Sequence, residues 1–238
     1  MPADGWVCPP YRVRISARAR RVNLRLSAHG ELEVVLPKGV RRINIPELLF
    51  EQRDWLRAAR ERLSYAPERR PARDIPTAIE LHAIGARWTV LHEPASPASL
   101  RVDHDHLVVG GDGDTARELL RQWLLAQGRA HLGPWLADIG RQIGIDHRGL
   151  TIRTQRSRWG SCSSRGRINL NAALLFLPPV QVRHVLIHEL CHRRHLNHSA
   201  AFWALVARHD PDYACTRAAL REAWKHVPGW LTAATHHR

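Results

Sequence analysis

The segment His188–Ser199, HELCHRRHLNHS, constrains the fold of this chain more than any other stretch. Its first two histidines, His188 and His192, are four residues apart, and on a helix this spacing places both imidazoles on one face. Upstream, Pro178 and Pro179 suit a first helical turn, where proline loses no hydrogen bond that the helix needs. The apolar residues of the same stretch fall on one stripe: Val182, Val185, Leu186 and Leu190. The pattern predicts a helix that buries one side and carries the two histidines.

This HExxH pattern suits a metal ion that activates water. Glu189 lies next to the first histidine, within reach of a water molecule on an ion shared by the pair. Catalytic zinc takes three protein ligands and keeps its fourth position for water, whose pKa falls to about 7. A neighbouring carboxylate can then take the proton during attack on a carbonyl. The motif predicts metal-dependent hydrolysis with Glu189 as general base, and the competing interpretation is a surface helix with incidental histidines, since the chain has 16 of them.

A third ligand has to come from beyond the helix, and two histidines compete for this role. His195 would lie near the same face if the helix continued, but we expect the chain to turn here. His198 directly precedes Ser199, a good N-cap for a helix over residues 199–208, and such a position is well fixed. We therefore favour His198 over His195. No glycine lies between His192 and His198, so Asn197 is the residue expected to tolerate the turn.

The N-terminal half is predicted to be rich in strands. Residues 11–40 alternate apolar and polar side chains, which predicts a β-meander with a turn at His29-Gly30. One helix follows, beginning near Pro46. After a proline-rich connection over residues 66–76, further strands are predicted in residues 78–94 and 99–110, with a loop at 110–114.

From Thr115 the apolar spacing becomes helical, and we expect Gly133-Pro134 to interrupt or reorient this long helix. Residues 150–177 predict a hairpin with its turn near residues 163–166, and two short helices are expected at the end of the chain, over residues 199–208 and about 213–225. The element order indicates an α+β fold. We divide it into a β-rich region with one helix, residues 1–114, and a catalytic region, residues 115–238.

Residues near the hairpin turn are candidates for binding substrate. The strand of Trp159, Gly160, Ser161 and Cys162 could hold an extended peptide through backbone hydrogen bonds, with residues 167–171, including Asn169, as its partner strand. A packed hairpin whose tryptophan fills the core explains the same pattern, and both can hold. Tyr213 is a candidate donor to the developing oxyanion, with Arg158 as its rival. His184 could orient a ligand or only pack, and Cys191 is expected to be buried rather than a ligand.

Composition limits the remaining choices. The four cysteines form no CxxC pair, so neither a zinc ribbon nor a disulfide framework is indicated. No apolar run long enough for a membrane span occurs and the start lacks a secretory pattern, so the cytoplasm is the expected compartment. The formal net charge of +14 invites a nucleic-acid partner, although the arginines are spread through every segment.

The blocks SRWGSCSSRGRINLNAALLFLPP, VLIHELCHRRHLNHSAAFWALV and DPDY resemble the YgjP-like metallopeptidase family, which is related to the SprT-type zinc proteases. The resemblance extends over about residues 11–225 and is more specific in the C-terminal half. It implies a zincin-like domain, with an active-site helix beside a β-hairpin, one zinc ion on His188, His192 and His198, and Glu189 as the catalytic acid/base. It implies peptide or protein substrates. The alternatives are a basic nucleic-acid-binding protein whose structural zinc has a fourth ligand such as His195, and a protease acting on DNA-associated protein.

Overall fold

The chain separates by its internal contacts into residues 1–70 and residues 71–238, here named the N-terminal and the C-terminal unit. The computed structural model describes residues 6–17, 19–26, 31–39, 43–64, 74–155 and 158–232, without the side chains of 58 and 60–64. This division at residues 70/71 differs from the boundary between the two regions expected from the sequence, which lies at residues 114/115. The strands before that point share one buried core with the helix after it, including Ile79, Leu107 and Leu120.

The N-terminal unit contains a three-stranded sheet of β1 (Tyr11–Ser16), β2 (Asn23–Leu26) and β3 (Leu32–Pro37). The strand order is β1-β3-β2, with β1 parallel and β2 antiparallel to β3. The prediction of a meander is therefore wrong, because β1 pairs with the third strand rather than with the second. Alternation of apolar residues indicates which side of a strand is buried, but it does not select the neighbouring strand. The predicted turn at His29-Gly30 lies outside the described residues.

Two helices follow in this unit, α1 (Ile45–Glu51) and α2 (Arg53–Ser64), where one was predicted. Asn44 caps α1, its side chain accepting a hydrogen bond from the Glu47 backbone, and Pro46 lies in the first turn as expected. Gln52 is the C-cap residue of α1 and separates it from α2. A small buried core unites the helices with the sheet: Leu32, Val34, Leu49 and Leu56.

The C-terminal unit begins with a four-stranded sheet of β4 (Ala78–Leu81), β5 (Ala86–Glu93), β6 (Leu100–Asp103) and β7 (His106–Gly110). The strand order is β4-β5-β7-β6, and the central pair β5 and β7 is parallel. The loop after β7 is short, because Asp112 caps the next helix by accepting a hydrogen bond from the Thr115 backbone at 2.8 Å. The predicted connection over residues 66–76 is described only from residue 74 onward.

A single long helix, α3 (Gly113–Ile143), runs through the unit. The predicted interruption at Gly133-Pro134 is wrong, because the helix continues through Pro134. Pro134 and Ala130, whose carbonyl loses its helical partner, are both exposed, so water can satisfy that carbonyl. Leu132 and Leu136 are fully buried on either side of the proline and hold the helix against the core.

The second sheet of this unit consists of β8 (Gly149–Arg153), β9 (Gly160–Cys162) and β10 (Arg167–Asn171). β9 and β10 form the predicted antiparallel hairpin, whose turn closes with a 2.8 Å hydrogen bond from the Gly166 N–H to the Ser163 carbonyl. β8 pairs in parallel on the other side of β10. β9 is therefore an edge strand.

The remaining helices are α4 (Pro179–Cys191), α5 (Ala200–His209), α6 (Tyr213–Glu222) and α7 (Gly229–Thr232). The predicted stripe on α4 is buried, and α4 contacts β9, α5 and α6. Helix and sheet are thus mixed as the sequence indicated, and the motif helix lies beside the hairpin. Within the described ranges, no helix is both long enough and apolar enough to cross a membrane.

Candidate metal centre

Helix α4 presents two histidines at its C-terminal end. Pro179 begins the helix, and Leu186 and Leu190 are fully buried on the side opposite the histidines. His188 lies in the last turn, and the backbone N–H of His192 closes that turn on the His188 carbonyl at 3.3 Å. The centroids of the two imidazoles are 4.8 Å apart. The spacing of four therefore makes the rings neighbours, as predicted.

His198 reaches the same point from the start of the next helix. Ser199 caps α5, with its hydroxyl accepting a hydrogen bond from the Phe202 N–H at 3.4 Å. The Nε2 atoms of His198 and His188 are 3.1 Å apart. One ligand nitrogen from each of His188, His192 and His198 lies within 4.8 Å of the others. The buried ring of Phe202 packs against all three imidazoles.

His195 does not join this cluster. Its backbone carbonyl instead accepts a 2.9 Å hydrogen bond from Nδ1 of His192. This bond fixes the proton of His192 on Nδ1 and leaves the lone pair of Nε2 for the cluster. The role open to His195 is thus to orient a neighbouring ring through its main chain.

The donor set fits a divalent cation such as zinc. Two nitrogens bound to one zinc ion at about 2.0–2.1 Å lie roughly 3.0–3.5 Å apart, which the 3.1 Å separation of His188 and His198 matches. Burial, together with the neighbouring His192, His198, His184 and Arg217, lowers the pKa of His188 to about 3. Burial also lowers the pKa of His192. Both rings are therefore neutral at pH 7, the form that binds metal.

Glu189 follows His188 on the same helix, is 5% exposed, and lines one cavity together with His188. Burial raises its pKa to about 8, against the opposing charge of Arg158. Its Oε2 atom has no hydrogen-bond partner in the described part of the chain. The carboxyl packs directly on β9, because a β carbon added to Gly160 would lie 2.7 Å from Oε1. The unpartnered Oε2 atom can accept a hydrogen bond from a water molecule in the site.

The predicted substrate strand lies against α4 and is partly accessible. Trp159 both packs and lines a cavity: it stacks on Trp224 at 4.0 Å, and its Nε1–H donates to the Leu220 carbonyl at 3.4 Å. Across the hairpin the Asn169 amide donates to the Ser161 hydroxyl at 3.3 Å. Burial, with a smaller effect of the Glu189 charge, raises the pKa of Cys162. Trp159 therefore packs as one interpretation predicted, and the binding of an extended peptide by this strand stays a prediction.

The two oxyanion candidates lie at different places. Tyr213 stacks on Trp203 at 5.4 Å, and Trp203 stacks on His198 at 5.6 Å, so one ring separates the tyrosine from the cluster. Arg158 is exposed and close enough for its charge to act on Glu189. Cys191 is fully buried, and burial raises the pKa of its thiol to about 12, so it offers no thiolate.

Sequence reasoning singled out His184 but missed three other residues near the cluster, namely Asp210, Trp203 and Arg217. Nδ1 of His184 is hydrogen-bonded to the Asp210 carboxylate at 2.5 Å, and both residues are buried. Trp203 stacks on His198, and the guanidinium of Arg217 lies 4.5 Å above the Trp203 ring. Only the spacing of His184, four residues before His188, gave a signal. Asp210 and Arg217 are brought in by the turn between α5 and α6.

Comparison with known proteins assigns the family. The chain matches the YgjP-like family model, a metallopeptidase domain, over residues 20–223. The crystal structure of the metallopeptidase zymogen of Pyrococcus abyssi abylysin matches 37% of this chain and 89% of its own at 25% identity, with a TM-score of 0.34. No curated protein matches the sequence. Because the family match spans most of the chain and includes the whole histidine cluster, this protein belongs to the YgjP-like metallopeptidase family.

Proposed function

We propose that this metallopeptidase is a zinc-dependent enzyme that hydrolyses peptide bonds in proteins or peptides. The observation that carries the proposal is the convergence of three imidazole nitrogens within 4.8 Å, next to a buried carboxyl group on the same helix. His188, His192 and His198 would hold one zinc ion. Three imidazole ligands favour zinc among the common divalent metals. When bound, zinc supplies a Lewis acid that polarises the substrate carbonyl and acidifies water.

Glu189 is the general base in this proposal. Its carboxylate takes a proton from the attacking water and delivers it to the nitrogen of the leaving amine. Two features support the role: an unpartnered buried oxygen, and close packing on Gly160 that restricts where the carboxyl can lie. A base held by its surroundings transfers protons without first reorganising.

The edge strand β9 would align the substrate. Its outer edge offers the backbone groups of Gly160–Cys162 to an extended peptide, which would then run alongside α4. The Asn169–Ser161 hydrogen bond stiffens the hairpin behind this edge. Trp159 and Cys162 flank the glycine and serine and would contact substrate side chains.

Stabilisation of the oxyanion is assigned to one of two residues. Tyr213 was the first candidate, but its ring stacks on Trp203. Arg158 is the favoured candidate, because its positive charge lowers the pKa of the nearby Glu189, against the larger effect of burial, and a cation there could stabilise a developing oxyanion.

Substitution of Glu189 by Gln tests the proposal. The variant should keep one equivalent of zinc, because all three histidines remain, and should lose peptide cleavage. Glu222→Gln, on the exposed end of α6, is the matched control and should retain both properties. X-ray absorption should show three imidazoles and one exchangeable oxygen. Four protein ligands, or cleavage retained by Glu189→Gln, would refute the catalytic assignment and favour a structural metal.

A basic patch favours a second, compatible proposal that the enzyme acts on protein bound to nucleic acid. In the first sheet, Arg12 and Arg25 flank Glu33 on the two neighbouring strands, and Arg14 bonds to the same carboxylate at 3.1 Å. All three arginines are exposed. Binding to duplex DNA should weaken steeply with salt, because phosphate contacts release counterions. Binding that is insensitive to salt would contradict this proposal.

A further inference from the structure

A cavity of about 200 Å³ opens beside His188 and Glu189. It has room for several water molecules, or for one amino-acid side chain in their place. Much of the cavity wall is apolar. His184, which is buried and hydrogen-bonded to Asp210, lines the cavity together with His188 and Glu189. The other lining residues are Trp159, Gly160, Val185, Trp203, Arg217 and Leu220.

Arg217 lines this cavity with a guanidinium group that stays positively charged at any ordinary pH. It is exposed on α6, and its guanidinium carbon lies 4.5 Å from the centroid of the Trp203 ring. It lines the same cavity as His188 and Glu189. Within the described ranges, no carboxylate lies at ion-pair distance from Arg217.

A stack of rings restricts where Arg217 can lie. Trp203 stacks on both His198 and Tyr213, at 5.6 Å and 5.4 Å with nearly parallel planes. A guanidinium lying over an aromatic face keeps its N–H groups free in its own plane, in the fork that matches a carboxylate. The side chain is thereby oriented before any ligand arrives, which reduces the entropy lost on binding.

We propose that Arg217 and the cavity form a carboxylate-binding subsite, so that the preferred substrates carry a carboxylate one side-chain length from the bond that is cut. The proposal rests on the peptidase function proposed above. The apolar walls would contact the aliphatic part of the substrate group, and the guanidinium its charged end. The carboxylate can be an acidic side chain or the C-terminus of the peptide. The net charge of +14 favours the approach of either.

The test uses the zinc-loaded full chain and peptides that differ at one position. One set places Glu, Gln or Lys at each position next to the cleaved bond, and a second compares a free C-terminal carboxylate with an amide. The wild type should prefer the carboxylate of one set by roughly three- to tenfold in kcat/KM, the range for a partly exposed charged hydrogen bond. The responding set identifies the source of the carboxylate.

Variants of Arg217 should change selectivity. In Arg217→Met the ratio of kcat/KM for carboxylate peptides to that for neutral peptides should be close to one. In Arg217→Glu the preference should shift toward peptides that carry Lys. Arg221→Met, on the same helix one turn later and exposed, is the matched control and should keep the wild-type preference. Raising the salt concentration should reduce the preference of the wild type but not that of Arg217→Met.

Two outcomes would overturn the subsite. One is a wild type that cleaves both sets without preference for a carboxylate. The other is an Arg217→Met variant that loses kcat equally on all peptides, which would assign Arg217 to the oxyanion. Failure of the subsite can be distinguished from failure of the peptidase function, because binding of the same peptides to zinc-loaded Glu189→Gln is measured as a Kd without any cleavage. Equal Kd values for carboxylate and neutral peptides would reject the subsite, and tighter binding of the carboxylate peptides would support it.

Discussion

The carboxyl group of Glu189 lies directly against the backbone of Gly160. A β carbon added to Gly160 would be 2.7 Å from Oε1 and 2.8 Å from Cγ of Glu189, closer than such atoms approach in proteins. The contact joins two elements distant in sequence, the edge strand β9 and the motif helix α4. It explains why a glycine precedes Ser161 on this edge: any side chain there would occupy the place of the proposed general base.

Gly160→Ala should displace Glu189 while leaving the metal ligands in place. Misplacing a catalytic group by about 1 Å can reduce the rate about 100-fold, so we expect a loss of kcat of this order with zinc content unchanged. Gly149→Ala in β8 is the matched control, because its β carbon would meet only the Arg167 side chain at 3.7 Å, an ordinary contact. Peptide cleavage and metal analysis on both variants make the comparison. Full activity in Gly160→Ala would mean that the position of Glu189 is not critical.

The two histidines that competed for the third ligand should behave oppositely. His198→Ala removes a nitrogen 3.1 Å from that of His188, and zinc affinity should fall by more than the roughly 10- to 100-fold typical of residues that only orient a ligand. His195→Ala keeps the backbone carbonyl that orients His192, so its affinity should be close to that of the wild type. Competition with a chromogenic chelator measures both. Loss of zinc from His195→Ala, with retention in His198→Ala, would reverse the assignment.

The geometry of the three histidines could be predicted because local rules determine it. A spacing of four on a helix brings His188 and His192 together, and a serine cap fixes His198 just before the next helix. The contacts that depend on the tertiary fold could not be predicted in this way. Nothing local links Gly160 to Glu189 or His184 to Asp210, and the parallel pairing of β1 with β3 is likewise a choice between distant strands. Gly133-Pro134 was predicted to interrupt the helix because proline and glycine disfavour helix locally. The buried Leu132 and Leu136, which hold the helix against the core on either side of Pro134, become apparent only in the tertiary fold.

Ser199 should contribute to metal binding through the helix cap. Its hydroxyl accepts the Phe202 N–H, and Phe202 packs against the three histidines. Ser199→Ala should lower the free energy of unfolding by about 1 kcal/mol, the usual value of an N-cap. It should also weaken zinc binding, because the residue after His198 is no longer fixed. Ser199→Asn preserves a capping oxygen and should restore both, as measured by urea unfolding and chelator competition. An Asn variant as weak as Ala would exclude capping as the cause.

The buried His184–Asp210 pair should stabilise the C-terminal unit and hold one wall of the cavity. Asp210→Ala would leave Nδ1 of His184 without its 2.5 Å partner in a buried site, which costs about 1–3 kcal/mol. Asp210→Asn keeps an oxygen that can accept the same hydrogen bond and should lose less. Urea unfolding followed by tryptophan fluorescence, with m-values compared to confirm that the same transition is observed, measures the difference. Because the pair bonds to no ligand histidine, zinc content should be unchanged in both variants. Equal stability of the Ala and Asn variants would show that burial of the carboxylate, and not its bond to His184, determines the effect.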